Sequence, residues 1–152
     1  FLLHFILNKK SKLHQNTKAM NDNKKSHWEH IYEVKTPEEV SWTQEKPETS
    51  LSFIHSFGAD KTAKIIDIGG GDSKLVDFLL EEGYENISVL DISANALERA
   101  KKRLGNNAEK VTWIVSDITE FEPTEQYDVW HDRATFHFLT NEKQIEKYMR
   151  KI

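Results

Sequence analysis

Lys64-Ile65-Ile66-Asp67-Ile68-Gly69-Gly70-Gly71-Asp72-Ser73 reads as a short buried strand that ends in a sharp turn. The β-branched run from Ile65 to Ile68 suits a strand, and three glycines let the chain turn tightly and bring its backbone close to a ligand. Ser73 is placed to cap a helix over residues 74–82, which puts Leu75, Val76, Leu79 and Leu80 on one face and stops at Gly83, where a left-handed residue is wanted. Strand, glycine turn and helix form the unit that opens a nucleotide-binding half of a doubly wound α/β fold.

The residues around the turn select among nucleotides. The dinucleotide fingerprint GxGxxG needs a third glycine for close helix packing, and Lys74 stands in its place. Asp67 and Asp72 bracket the glycines, and two carboxylates would repel a pyrophosphate at close range. A ligand with a positive centre is favoured instead. S-adenosylmethionine, with a sulfonium, an ammonium, an adenosine and no phosphate, suits such a loop, and Asp67, Gly69, Gly70, Gly71, Asp72 and Ser73 are expected to hold it.

Composition sets bounds. The 152 residues make one domain with a proper core, and 38% apolar with 30% charged residues describe a soluble globular protein. With no cysteine, disulfides, thiolate nucleophiles and cysteine-ligated metals are excluded, and a reducing, cytoplasmic setting is expected. Net charge is −4, but residues 1–19 hold Lys9, Lys10, Lys12 and Lys18 and no acid, so the remainder carries 17 basic against 25 acidic residues, a net of −8. An acidic body argues against nucleic acid as a partner. Phe-Leu-Leu-His-Phe-Ile-Leu precedes the lysines, the wrong order for a secretory signal and too short to span a bilayer. Residues 1–19 are expected to be a disordered or non-native leader, with Met20 the natural start and 20–152 the folded part; no membrane partner is expected.

Further along, Ser26-His27-Trp28-Glu29 has the form of a capping box opening a short helix that carries Trp28, Ile31 and Tyr32. Trp42 lies in a proline-punctuated loop, as a lid over a ligand or an anchor for the loop. A second helix, about 48–57, offers Leu51, Phe53, Ile54 and Phe57 to the core and stops at Gly58. A strand at Ile87–Leu90 runs into Asp91, 20 residues beyond Gly71, where an acid can accept both ribose hydroxyls of a nucleoside. Ile92 follows, and Ser93 caps a helix over 94–104 with the stripe Leu97, Ala100, Leu104 and a Glu98–Lys102 pair on its solvated side. A third strand, Val111–Val115, leads to Ser116-Asp117-Ile118, where Asp117 can accept from an adenine amine and Ile118 can pack on the ring.

A fourth strand, Tyr127–Trp130, runs into His131-Asp132-Arg133-Ala134-Thr135-Phe136-His137-Phe138, a dense polar and aromatic cluster at a strand's carboxyl end. A metal site is rejected, because His131 and His137 share no helical or strand face and no third ligand is spaced for it. If the acceptor is an amine, Asp132 could orient it while His131 takes its proton; if it is a thiol or an anionic heterocycle, Arg133 could stabilise the developing anion, or pair structurally with Asp128 or Asp132. Phe136 is a candidate to contact the substrate, as is Trp42, and His131 also lies where a cofactor would bind. A last helix, capped by Asn141, carries Ile145, Tyr148, Met149 and Ile152.

Taken together, Asp67-Ile-Gly-Gly-Gly-Asp72, Leu90-Asp91-Ile92-Ser93 and Ser116-Asp117-Ile118 resemble the motifs of class I S-adenosylmethionine-dependent methyltransferases. The opening at His27–Tyr32 and the Asp132–Phe136 segment look like a group that includes protein-lysine methyltransferases, and Trp130-His131-Asp132-Arg133 is similar to the thiopurine-type enzymes. The resemblance covers about Trp28 to the end. It implies a Rossmann-like parallel sheet of strand order 3-2-1-4, S-adenosylmethionine across the ends of strands 1, 2 and 4, and methyl transfer to a protein lysine or a small molecule. The family's fold has seven strands, so the chain reads as a part truncated at the C-terminus, with self-association through an exposed strand 4 expected. Two other readings are a cofactor-binding fragment without turnover and, disfavoured by the acids, a nicotinamide-dependent oxidoreductase.

Overall fold

A computed structural model describes residues 22–36, 39 and 44–152. Helix α1 covers 22–34. It is followed by α2 (Glu48–Ser56), β1 (Lys64–Ile68), α3 (Leu75–Glu81), β2 (Asn86–Asp91), α4 (Ala94–Leu104), β3 (Val111–Val115), β4 (Val129–Asp132) and α5 (Glu142–Met149), with 3-10 turns at Gly105–Lys110 and Thr135–Phe138. The four strands form a parallel sheet in the order β3-β2-β1-β4, the order that the family resemblance implied. The order in which strands are added reverses about β1, with β2 and β3 laid to one side and β4 to the other. In doubly wound sheets ligands bind outside the strand ends at such a switch.

Alternation along the strands splits the core in two. Ile65 of β1 with Ile87 and Val89 of β2 face Leu51 and Ile54 of α2, Leu75, Val76 and Leu79 of α3 and Leu97 of α4. Ile66, Ile68 and Leu90 face the opposite way, onto Ile118, Leu139 and Tyr148. Both faces of β1 are therefore covered, as an apolar strand without polar alternation requires.

Several local expectations need correction. The helix over 22–34 runs straight through Ser26, which therefore caps nothing, and Glu29 bonds to α4 instead of closing a box. Phe53 and Phe57 are 63% and 72% exposed, because α2 turns Ser50, Leu51 and Ile54 inward. Met149 and Ile152 are exposed likewise, and α5 buries Gln144 and Tyr148. Glu98 pairs with Lys101, one turn position earlier than Lys102. Strand β4 begins two residues later than the apolar pattern indicated, since Asp128 is held at the strand's foot, its carboxylate accepting from the Lys64 N–H at 2.8 Å and its own N–H donating to the Lys64 carbonyl. That shift takes His131 and Asp132 into the sheet.

The exposed and buried apolar positions differ in cost. Phe57→Ser is expected to change stability by less than about 0.5 kcal/mol, whereas Leu79→Ala, emptying a fully buried site, should cost about 3 kcal/mol. Urea unfolding of the two variants checks the contrast.

Candidate functional site

The carboxyl ends of β1, β2, β3 and β4 surround one cavity of about 230 Å³. Each strand delivers a polar residue to it at or near its carboxyl end: Asp67 one residue before the end of β1, Asp91 at the end of β2, Asp117 two residues beyond β3 and His131 one residue before the end of β4. Asp67, Asp91 and Asp117 all line it, together with Gly69, Gly70, Ser73, Ile92, Ile118, His131 and Arg133. Three carboxylates read from separate stretches of sequence thus meet at one place.

Register explains the buried pair at the centre. Asp67 on β1 stands beside His131 on β4 in the parallel ladder, so both side chains leave the same face. His131 Nδ1 lies 2.7 Å from Asp67 Oδ1 and its Nε2 lies 2.9 Å from Ser50 Oγ. Burial works against a charged imidazole here, but the hydrogen bond and charge of Asp67 outweigh it and raise the His131 pKa. Both ring nitrogens are occupied, which fixes the orientation of the ring and through it that of Asp67.

Asp91 is 6% exposed. Its Oδ1 accepts the Ser93 N–H at 2.8 Å, and Ser93 in turn caps α4 by accepting from the Ala96 N–H at 3.1 Å. Burial pushes the Asp91 carboxyl up to about 7, with the charges of Asp67 and Asp72 adding to the effect and the Ser93 and Gly71 N–H groups opposing it. Asp117 is less enclosed, and its Oδ1 accepts from the N–H and hydroxyl of Thr119, which shapes the turn after β3.

The glycines are required where they stand. Gly69 and Gly71 have φ of +65° and +50°, and a Cβ on Gly70 would lie 2.6 Å from Asp67 Oδ2 and 2.7 Å from Val89 Cγ1. The turn is therefore bare backbone pressed against the acid that it follows.

Other expected residues sit elsewhere. Gly71 and Asp72 do not line the cavity; the Asp72 carboxylate turns toward α4, with Oδ2 3.7 Å from Arg99 Nη1, and burial raises its pKa against the pull of Arg99 and Arg103. Asp132 also lies off the lining. Its Oδ1 accepts from the Ala134 and Thr135 N–H groups at 3.0 and 2.7 Å, and its Oδ2 from the Phe136 N–H at 3.1 Å and the Tyr148 hydroxyl at 2.6 Å. Phe136 is 44% exposed and packs edge-on against Tyr148. Arg133 donates from Nη1 to Gln44 Oε1 at 2.5 Å. Trp42 lies outside the described residues.

Sequence reasoning missed the contribution of α1 and α2. Lys24, Trp28 and Tyr32 of α1 and Ser50 of α2 line the cavity, as does Thr135. The His27–Tyr32 pattern flagged the helix, but nothing local to it indicates that it lies across the strand ends. Ser50 carries no signal at all in sequence.

Comparison with known proteins bears on the family and the fold. The family described as "Methyltransferase domain" matches residues 65–152. Malonyl-[acyl-carrier protein] O-methyltransferase of Anoxybacillus flavithermus is 39% identical over 82 residues, 53% of this chain and 30% of that protein. The eEF1A lysine and N-terminal methyltransferase of Mus musculus is 26% identical over 121 residues, 78% of this chain and 17% of that protein. Among solved structures, the glycopeptide N-methyltransferase MtfA complexed with S-adenosyl-L-homocysteine aligns with a TM-score of 0.57 at 16% identity, covering 68% of this chain and 44% of that one, a likeness of fold. The chain spans less than a third of the length of these two curated relatives. With the family match running from β1 to the last residue, the chain belongs to the methyltransferase domain family.

Proposed function

We propose that this chain binds S-adenosylmethionine in the cavity at the strand ends and serves methyl transfer to a protein or small-molecule acceptor. The observation that carries the reading is the convergence of Asp67, Asp91 and Asp117 on one cavity beside a glycine turn. No lysine or arginine lies within Gly69–Ser73 to receive a pyrophosphate. Three carboxylates suit a cationic nucleoside and repel a dinucleotide, so the residues present fit the cofactor.

Bound S-adenosylmethionine supplies a sulfonium-activated methyl group for in-line transfer. On this reading Asp91 accepts the two ribose hydroxyls, Asp117 and Ile118 receive the adenine, and Asp67 with the glycine backbone holds the amino-acid end. His131 keeps Asp67 in place, and Asp132 ties down the chain after β4, so both act by positioning. Lys24 and Arg133 are cationic residues of the lining, and on this reading Arg133 meets an anionic acceptor. Transfer from a sulfonium needs alignment and exclusion of water more than acid–base assistance. The two relatives named above bear different acceptors in their names, and both names say methyltransferase.

The test is calorimetric titration with S-adenosylmethionine, sinefungin and NAD. Binding of the first two but not NAD supports the proposal; binding of NAD alone overturns it in favour of an oxidoreductase. Retained binding with no methylation of any protein or small-molecule acceptor points to a fragment that binds without turnover.

A pH dependence follows from Asp91. A carboxyl that titrates near 7 in the free protein must ionise to accept both hydroxyls well. Affinity for S-adenosylmethionine is therefore expected to rise between about pH 6 and pH 8, with a proton released on binding near neutrality. Titrations in two buffers of different ionisation enthalpy measure that release.

A further inference from the structure

We propose that Glu29 is a positioning residue that clasps α1 over the cavity, so that docking of this helix and binding of the adenosyl cofactor reinforce each other. The inference rests on the cofactor reading above and adds a coupling element to it. Glu29 lies on α1 between the cavity-lining residues Trp28 and Tyr32. Its Oε1 accepts the Ala94 N–H at 2.8 Å, and its Oε2 accepts the Ser93 hydroxyl at 2.8 Å and the Asn95 N–H at 3.1 Å. These groups open α4, whose first N–H donors have no partner within their own helix and favour a negative charge. The carboxylate responds accordingly: burial opposes its charge, but the bonds from Asn95, Ser93 and Ala94 outweigh it and lower the pKa.

The clasp ends on the cofactor cradle itself. Ser93 donates its hydroxyl to Glu29 and its main-chain N–H to Asp91, so a single residue joins α1 to the acid assigned to the ribose. A second tie repeats the pattern. Arg99 of α4 donates to the Tyr32 carbonyl on α1 and reaches Asp72 in the glycine turn. Tyr32 also lies directly on that turn, its hydroxyl 2.7 Å from where a Gly71 Cβ would stand. Both attachments of α1 thus run to residues beside the cavity, and a ligand that orders those residues stabilises the docked helix, with the reciprocal effect on its own affinity.

Sinefungin binding and amide hydrogen exchange are measured on the wild-type chain, Glu29→Ala and Glu29→Gln. Glutamine keeps the size but turns an amide toward N–H donors. Both variants are expected to bind roughly tenfold or more weakly, with faster exchange over 22–34, unchanged protection in β1, β2 and β3, and ligand-induced slowing over 22–34 in the wild type. Wild-type affinity in both variants, or unchanged exchange over 22–34, overturns the clasp while leaving the cofactor reading intact. Lost protection across the sheet marks Glu29 as generally structural and also overturns it. Failure of the wild type to bind sinefungin removes the cofactor reading and the clasp with it.

Discussion

Asp91→Asn is expected to abolish measurable S-adenosylmethionine binding while making the free protein more stable above pH 7. The carboxylate is buried and sits among other acids, so the fold bears its ionisation poorly and its pKa rises to about 7. The sign follows from proton counts. Between about pH 4 and pH 7 the unfolded chain releases this proton and the folded chain keeps it, so the contribution of Asp91 to stability falls as pH rises and reaches a penalty of roughly 4 kcal/mol at the upper end. Asparagine removes the penalty and can still accept the Ser93 N–H through its side-chain carbonyl. It loses two charge-assisted bonds to the ribose, each worth roughly 1.5–3 kcal/mol, which weakens affinity by about a hundredfold or more. Thermal unfolding of wild type and variant at pH 5 and pH 8, beside calorimetry, checks both halves. A variant that binds as the wild type does removes Asp91 from the cofactor site; one no more stable than the wild type at pH 8 removes the buried-charge argument. A site that destabilises its own fold is common where a charge is held for a ligand.

Gly69→Ala should be the most damaging single methyl group that can be added to the turn. A Cβ there would lie 1.9 Å from Thr135 Oγ1 and 3.2 Å from Thr135 Cβ, at a residue whose φ is +65°. Thr135 cannot simply swing aside, since its hydroxyl is bonded to the Ile68 carbonyl at 3.2 Å and its N–H to Asp132. Left-handed strain costs about 1 kcal/mol for alanine, and the clash brings the loss to about 3 kcal/mol. That corresponds to a drop in Tm of roughly 6–12 °C for a chain of this size. Gly83→Ala is the control, having φ of +86° with nothing within 4 Å of the added carbon. It should show the strain alone, so equal Tm losses in the two variants would refute the steric account.

The chemistry of the site was legible in sequence to the extent that it is local. An apolar run followed by Asp67, Asp91 or Asp117 states that a strand ends in an acid, and similar strands separated by helices are parallel and end on the same edge. That placed three carboxylates together without any knowledge of contacts. His131 was flagged as part of a polar cluster, but its partner was not. The ring meets Asp67 across 64 positions because β4 runs two residues beyond its apolar pattern and pairs His131 with Asp67, and an edge strand with few apolar residues leaves register weakly specified. Asp132 shows the same limit: its residue type suggested chemistry, and the fold engages its carboxylate with three N–H groups and a tyrosine hydroxyl.

Phe53 and Phe57 mislead for a related reason. They continue the helical stripe of Leu51 and Ile54, yet α2 is covered along one narrow line and leaves both rings in solvent. Glu29 misleads more instructively. Three residues after a serine it has the spacing of a box that closes its own helix, whereas the donors that it satisfies belong to α4.

The sequence by itself determined the strand–turn–helix unit and the acids at the strand tips, because backbone preference and side-chain periodicity are properties of neighbouring residues; the order 3-2-1-4 came from the family resemblance of its motifs. Only the tertiary structure decided that α1 lies across the cavity, that His131 holds Asp67 and that Glu29 reaches α4. Those contacts join residues 64 to 66 positions apart, and their geometry exists only once register and helix docking have been set by packing of the whole core.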